Sequence, residues 1–260
     1  MADPTAFLNK PAWVDLSTSD PAASRDFYAQ LFGWQVEVSA DPQYGGYALA
    51  KIDGEDVAGI GPKMSAEAPT AWSVYIGMSD GEDLGRRVQA AGGTVIAPAF
   101  DVGDQGRMAV FQDPSGAFIS AWQPLAMGSF RANIPNAFAW AELNTRALDT
   151  AVAFYGKVFG WTPRAMQAEG APPYTELLLD GERVAGAQAM QPMVPAEVPA
   201  YWMVYFGVDD VDATYGRALA GGAHEMLSPI DFPGGRLAIV SDPQGAAFGI
   251  LKMEPGQSAM

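Results

Sequence analysis

Trp13 to Trp34 reads WVDLSTSDPAASRDFYAQLFGW, and Trp140 to Trp161 reads WAELNTRALDTAVAFYGKVFGW. Set in register, the two stretches share Trp, Leu, Thr, Phe-Tyr and Phe-Gly-Trp. The match continues downstream. Asp53–Gly59 (DGEDVAG) answers Asp180–Gly186 (DGERVAG), Trp72–Gly77 (WSVYIG) answers Trp202–Gly207 (WMVYFG), and Gly106–Gly116 (GRMAVFQDPSG) answers Gly235–Gly245 (GRLAIVSDPQG). Self-similarity of this length means that the chain is two homologous halves. Pro124 to Asn136 (PLAMGSFRANIPN) carries two Pro and a Gly without clear periodicity, the character of a joining segment. The division expected is 8–124, a linker at 125–136, and 137–254.

Within a half, Trp13–Thr18 alternates between Val14, Leu16 and Thr18 on one face and Trp13, Asp15 and Ser17 on the other, so it reads as a half-buried strand. A helix follows. Ser19 or Asp20 can cap it, Pro21 sits in the first turn where a missing N–H costs nothing, and Ala23, Phe27, Tyr28 and Leu31 form an apolar stripe ending at Gly33. Gln35–Ser39, Tyr47–Lys51 and Asp56–Ile60 are short strands separated by turn signals. Trp72–Met78 opens a second series, with Asp80–Ala91 as helix, Gly92-Gly93 as its stop, and Arg107–Phe111 and Ala117–Trp122 as closing strands. The order is β-α-β-β-β, twice per half, an α+β architecture.

The FY-x-x-x-FGW pattern after a two-faced strand, with D-P-x-G ahead of a last strand, resembles the vicinal oxygen chelate superfamily, the glyoxalase/bleomycin resistance/dioxygenase family. The resemblance covers nearly the whole chain as two tandem domains. It implies that each domain is a pair of βαβββ modules whose curled mixed sheet surrounds a cleft, with a metal usually at the cleft floor. The resemblance also tells where the ligands of that metal fall. The first His falls on Trp13 and Trp140. The second falls on Ser73 or Trp72, and on Met203 or Trp202. The closing Glu falls on Ser120 and Gly249. Indole has no lone pair in the ring plane, and Ser or Gly supplies at most a weak neutral oxygen, so the metal site is expected to be absent in both halves.

Composition agrees with that expectation. The 260 residues contain no Cys and one His, which removes disulfides, thiolate nucleophiles and Cys-ligated zinc and leaves almost no room for an imidazole site or a Ser-His-Asp triad. His224 lies away from the matched positions and reads as a surface or capping residue. Thirty Asp and Glu against 15 Lys and Arg give a formal charge of -15, which makes nucleic acid and anionic membranes poor partners. Met1–Lys10 lacks the pattern of a secretory signal and no apolar run of 18 occurs, so a cytoplasmic protein is expected.

Period-two neighbours of the ligand positions should line the clefts. In the first half these are Asp15 and Ser17 beside Trp13, Tyr75 and Gly77 after Ser73, and Phe118 and Trp122 around Ser120. In the second they are Glu142 and Asn144 beside Trp140, Tyr205 and Gly207 beside Met203, and Ala247 and Leu251 around Gly249, which leaves the second cleft the more open. The expected ligand-binding set is Trp13, Tyr75, Ser120, Trp122, Trp140, Met203 and Tyr205. Such aromatic linings suit a small planar or apolar molecule; alternatively Trp13 and Trp140 simply fill the space of the metal. Asp15 and Glu142 are candidate general bases, or acceptors of structural hydrogen bonds. Arg107 and Arg236 either anchor a substrate anion or pair with Asp113 and Asp242. Met190 and Met193, in a Pro-rich crossover, either line a pocket mouth or belong to a linker.

Two functions fit. One is a cofactor-free, metal-independent binder of a small apolar or aromatic metabolite or antibiotic, as the bleomycin-resistance branch implies. The other is an enzyme of the lyase, isomerase or dioxygenase-like kind. Either is compatible with a monomer or a homodimer.

Overall fold

The computed structural model describes residues 7–127, 130–167 and 173–254; Gly128 and Ser129 of the expected linker, and Met1–Ala6, lie outside them. Sixteen strands and four α-helices are described. In the first half these are β1 (Pro11–Thr18), α1 (Pro21–Phe32), β2 (Gln35–Val38), β3 (Ala48–Ile52), β4 (Glu55–Pro62), β5 (Ala71–Gly77), α2 (Gly81–Ala90), β6 (Thr94–Val102), β7 (Gly106–Gln112) and β8 (Phe118–Pro124). The second half repeats the order: β9 (Phe138–Thr145), α3 (Leu148–Phe159), β10 (Thr162–Met166), β11 (Tyr174–Leu179), β12 (Glu182–Ala189), β13 (Tyr201–Gly207), α4 (Val211–Ala220), β14 (His224–Phe232), β15 (Gly235–Ser241) and β16 (Ala247–Met253).

Each half makes one open eight-stranded mixed sheet, ordered β2-β3-β4-β1-β5-β8-β7-β6 and β10-β11-β12-β9-β13-β16-β15-β14. Two βαβββ modules join back to back in each. Their opening strands β1 and β5 pair antiparallel at the centre, and each opening strand pairs parallel with the closing strand of its own module. The α+β fold expected from the repeat is the fold observed.

The local signals explain the elements. Asp20 caps α1 by accepting from Ala23 N at 3.1 Å, Pro21 occupies the first turn, and Gly33 ends the helix at φ 74, a left-handed position that glycine adopts without strain. Two readings change. The strand β1 is buried along nearly its whole length, not on one face only, because its second face is covered by aromatic side chains of neighbouring strands. The strand β6 had no residues assigned to it from sequence. Pro98 lies within it, and its register against β7 is interrupted twice. It tolerates both because it is an edge strand, where a missing N–H leaves no ladder bond unmade.

The halves are locked together by the motif residues themselves. The Tyr28 hydroxyl receives the Trp72 indole N–H at 2.9 Å and donates to Asp242 of the other half at 3.1 Å. Reciprocally, Tyr155 receives Trp202 at 2.9 Å and donates to Asp113 at 2.9 Å. Each of these aspartates also holds its own D-P-x-G turn: Asp113 accepts from Ser115 N and Ala117 N, and Asp242 from Gln244 N and Ala246 N. Trp34 and Trp161 cross the boundary too, donating at 2.7 Å to Asn136 O and Asn9 O. Rings fill the space between them, with Trp72 and Phe206 at 4.9 Å and Phe32 and Phe206 at 5.1 Å between centroids. Phe27, Tyr28, Phe154 and Tyr155 are thus core residues as their spacing implied, and the core they build spans both halves.

Arg107 and Arg236 do not pair with Asp113 and Asp242, since those acids are already engaged in the turns and with tyrosine. Arg107 pairs instead with Glu82 and Asp101, and Arg236 with Asp212 and Asp231, all at the surface. Tyr28→Phe or Tyr155→Phe should therefore lower stability by about 1–3 kcal/mol, the cost of a buried acceptor and a buried indole N–H losing their partner. Thermal denaturation of the two single variants and the double variant checks this, and a double variant losing less than either single would contradict it.

Candidate functional site

Strand register decides which residues share the cleft face. Trp13 lies opposite Tyr75, Asp15 opposite Ser73, and Tyr75 beside Ser120, so these five share one face of the sheet. Trp72 pairs with Leu16 and points the other way, to Tyr28 at the boundary between halves. In the second half Trp140 lies opposite Tyr205, Met203 opposite Glu142, and Tyr205 beside Gly249. The position matching the second His is accordingly Ser73 in one half and Met203 in the other.

These residues make a polar knot inside an aromatic lining. The Trp13 indole N–H donates to the Tyr47 hydroxyl at 3.0 Å; Tyr47 donates in turn to Asp15 Oδ2 at 3.3 Å, and Tyr75 donates to the same oxygen at 3.0 Å. Ser120 hydrogen-bonds to Tyr75. Tyr47, which precedes β3, was not singled out from sequence. The signal that could have found it is the paired glycine in DGEDVAG: a Cβ on Gly59 would lie 1.7 Å from the Tyr47 oxygen, so the ring occupies the space that only glycine leaves. Its counterpart Tyr174 stands in the same relation to Gly186.

The second knot has the same plan and more partners. Trp140 donates to Tyr174 at 2.7 Å, and Tyr174 bonds Glu142. Glu142 Oε1 also receives Tyr205 at 3.3 Å, the Asn144 amide at 3.1 Å and the Gln188 amide at 2.8 Å. Gln188 and Asn144 are adjacent strand partners, and their amides bond each other as well.

Burial controls the ionisation of both acids. Asp15 is raised to about 6, because desolvation outweighs the two phenol hydrogen bonds that favour its charged form. Glu142 is raised for the same reason against four hydrogen bonds. The phenols around them are pushed well above the usual tyrosine range by burial and by the neighbouring carboxylate, so they remain donors.

Of the residues expected to line the clefts, Trp13, Tyr75 and Ser120 meet in the first knot, and Trp140, Met203 and Tyr205 meet in the second. Trp122 lies farther along β8 on the same face, opposite Gly77, and its buried indole nitrogen has no hydrogen-bond partner among the described residues. Phe118 is exposed and belongs to the rim. The space beside Gly249 is taken by the Tyr205 ring, 1.9 Å from where a Cβ would stand, so the missing side chain does not open the second cleft at that point. Met193 is exposed in the crossover, and His224 opens an edge strand at the surface.

The donor set does not fit a divalent ion. Trp13, Ser73 and Ser120 in one half, and Trp140, Met203 and Gly249 in the other, supply no charged oxygen and no imidazole. Among the described residues no three of His, Cys, Asp or Glu converge. Nor is any described helix long and apolar enough to cross a membrane.

The model of the Glyoxalase/Bleomycin resistance protein/Dioxygenase superfamily matches this chain twice, over residues 10–120 and 137–250. A Mycobacterium bovis protein named "Putative glyoxylase CFP32" is 41% identical over 253 residues, covering 95% of this chain and 96% of its own. The anthracycline biosynthesis protein DauV of Streptomyces sp. (strain C5) is 37% identical over 264 residues, covering 96% and 95%. Among solved structures, the Mn(II)-bound glyoxalase of Novosphingobium aromaticivorans superposes with a TM-score of 0.67 at 17% identity, covering 95% of this chain and 83% of its own. A catechol 2,3-dioxygenase superposes at 0.63 and 12% identity, covering 97% and 92%. By its repeat, its paired sheets and these matches, the chain belongs to the glyoxalase/bleomycin resistance protein/dioxygenase superfamily.

Proposed function

We propose that this protein binds a small apolar or aromatic organic molecule in its clefts, without a divalent ion. The observation that carries this is that the superfamily's metal-ligand positions hold Trp13, Ser73 and Ser120 in one half and Trp140, Met203 and Gly249 in the other, beside two phenols and a single acid in each half, a set that offers ring faces and a hydrogen-bonding group. The relative named for anthracycline biosynthesis supports an organic ligand of this general kind. The relatives with bound metal or dioxygenase names share the fold at low identity, and their chemistry does not carry over to these residues.

A second possibility, that the protein is an enzyme, rests on Asp15. A carboxyl with a pKa of about 6 on an apolar cleft floor is suited to take a proton from a carbon or oxygen acid near neutral pH, the work of a lyase or isomerase. Conversion of a bound compound that stops in Asp15→Asn would establish it.

Three outcomes are expected. Elemental analysis of protein purified without chelator finds no stoichiometric divalent ion, and calorimetric titration with Mn2+ shows no saturable binding; one ion per half would overturn the metal-free part of the proposal. A panel of aromatic metabolites gives saturable calorimetric binding that weakens in Trp13→Phe or Trp140→Phe, which keep a ring and lose the indole donor. Finally, ionised Asp15 opposes folding. Its folded pKa lies above the unfolded value of 3.8, so the folded state holds the proton longer and stability falls as pH rises through that interval. The stability of wild type relative to Asp15→Asn should therefore drop by about 2–3 kcal/mol between pH 4 and pH 7. Denaturant titrations at both pH values read this directly, and a pH-independent difference would refute the shifted ionisation.

A further inference from the structure

The two clefts share a plan but not an electrostatic state. Asp15 receives both phenol donors on Oδ2, and its buried Oδ1 has no hydrogen-bond partner among the described residues. Glu142 is bound by two phenols and two amides. The difference lies at one pair of matched positions. Asn144 and Gln188, partners across β9 and β12, occupy in the second half the places that Ser17 and Gly61, partners across β1 and β4, occupy in the first. Ser17 is too short to supply the amide bond, and Gly61 has no side chain because the Tyr47 ring lies 2.7 Å from where its Cβ would be.

A buried carboxylate oxygen without a donor is costly on its own, on the scale of a lost charged hydrogen bond, and such atoms in folded proteins ordinarily have a partner. Asp15 shares its face of the sheet with Trp13 and Tyr75, the lining already described. Of the two phenols on Oδ2, Tyr75 is buried and Tyr47, just before β3, is partly exposed.

Building on the cleft-binding function above, we propose that the first cleft is the selective one. It takes an aromatic or apolar molecule bearing a hydrogen-bond donor, a phenol, enol or amine, whose donor is received by Asp15 Oδ1. The second cleft carries a carboxylate that receives Asn144 and Gln188 on Oε1 beside Tyr205, with no buried oxygen left without a partner among the described residues, and makes no such selection.

Calorimetry with 2-naphthol and with its methyl ether, which differ only in the donor, tests this. Wild type should bind one 2-naphthol per chain about tenfold or more tightly than the ether, the span of one hydrogen bond to a charged group. The preference should vanish in Asp15→Asn and shrink in Ser17→Asn, which installs the amide of the second half. Asn144→Ser combined with Gln188→Gly should create a second preferring site. Circular dichroism establishes that each variant folds, and the wild-type comparison of the two probes stands whether or not the double variant does. Equal binding of the two probes, two equivalent preferring sites in wild type, or a preference that survives Asp15→Asn would each overturn the assignment. If neither probe binds at all, the aromatic-ligand function falls and this inference with it.

Discussion

A tyrosine hydroxyl placed between an indole and a carboxylate is the interaction on which this architecture rests. At the boundary between halves, Trp72, Tyr28 and Asp242 form one such chain, and Trp202, Tyr155 and Asp113 the other. Each spans the two sheets, and each ends on an aspartate that also organises the turn into the last strand of its own half. The helix of one half cannot be seated without the turn of the other. Both phenols are fully buried, so the energy at stake is that of desolvated groups held by a short hydrogen-bonded chain.

The same trio is used a second time for a different purpose. On the cleft face, Trp13, Tyr47 and Asp15, and their counterparts Trp140, Tyr174 and Glu142, repeat the order indole, phenol, acid. Central strands β1 and β9 carry their cleft-face residues at Trp13 and Asp15, or Trp140 and Glu142, and send the intervening residues toward the helices. That is why they are buried along both faces and why no alternation of exposure survives. At the boundary the aspartate receives turn amides as well as the phenol, and burial still raises Asp242 above the usual carboxylate range. In the first cleft the acid has only phenols, and its ionisation moves toward neutrality.

Much of this was legible in the sequence because it was written twice. The α+β fold, the cap of α1 and the shared face of Trp13 with Asp15 and of Trp140 with Glu142 follow from the register between the halves, from local capping signals and from period-two alternation. What escaped has physical causes. Tyr47, just before β3, and Tyr174, the first residue of β11, leave their mark only through Gly59 and Gly186. The alternative that pairs Arg107 and Arg236 with Asp113 and Asp242 fails because proximity in sequence carries no information about a phenol arriving from the other half. The edge strand β6 was obscured by Pro98, a residue that argues against a central strand but not against an edge.

The cleft chemistry also bears on how the halves diverged. The indole-phenol-acid chain is present in both, with glycine kept at Gly59 and Gly186 to admit the phenol, so it is a shared property of the two halves. Asn144 and Gln188 against Ser17 and Gly61 is a difference between them, and it concerns only the donors that reach the acid. Compensating the second carboxylate with two amides requires a side chain at position 188, where the first half has a glycine packed against a ring. The two arrangements coexist in the second half, where Tyr174 keeps its bonds to Trp140 and Glu142 with Gln188 beside it. A side chain at Gly61 asks that the Tyr47 ring give way, so the first acid has fewer donors because its half carries Ser17 and Gly61 where the second carries Asn144 and Gln188.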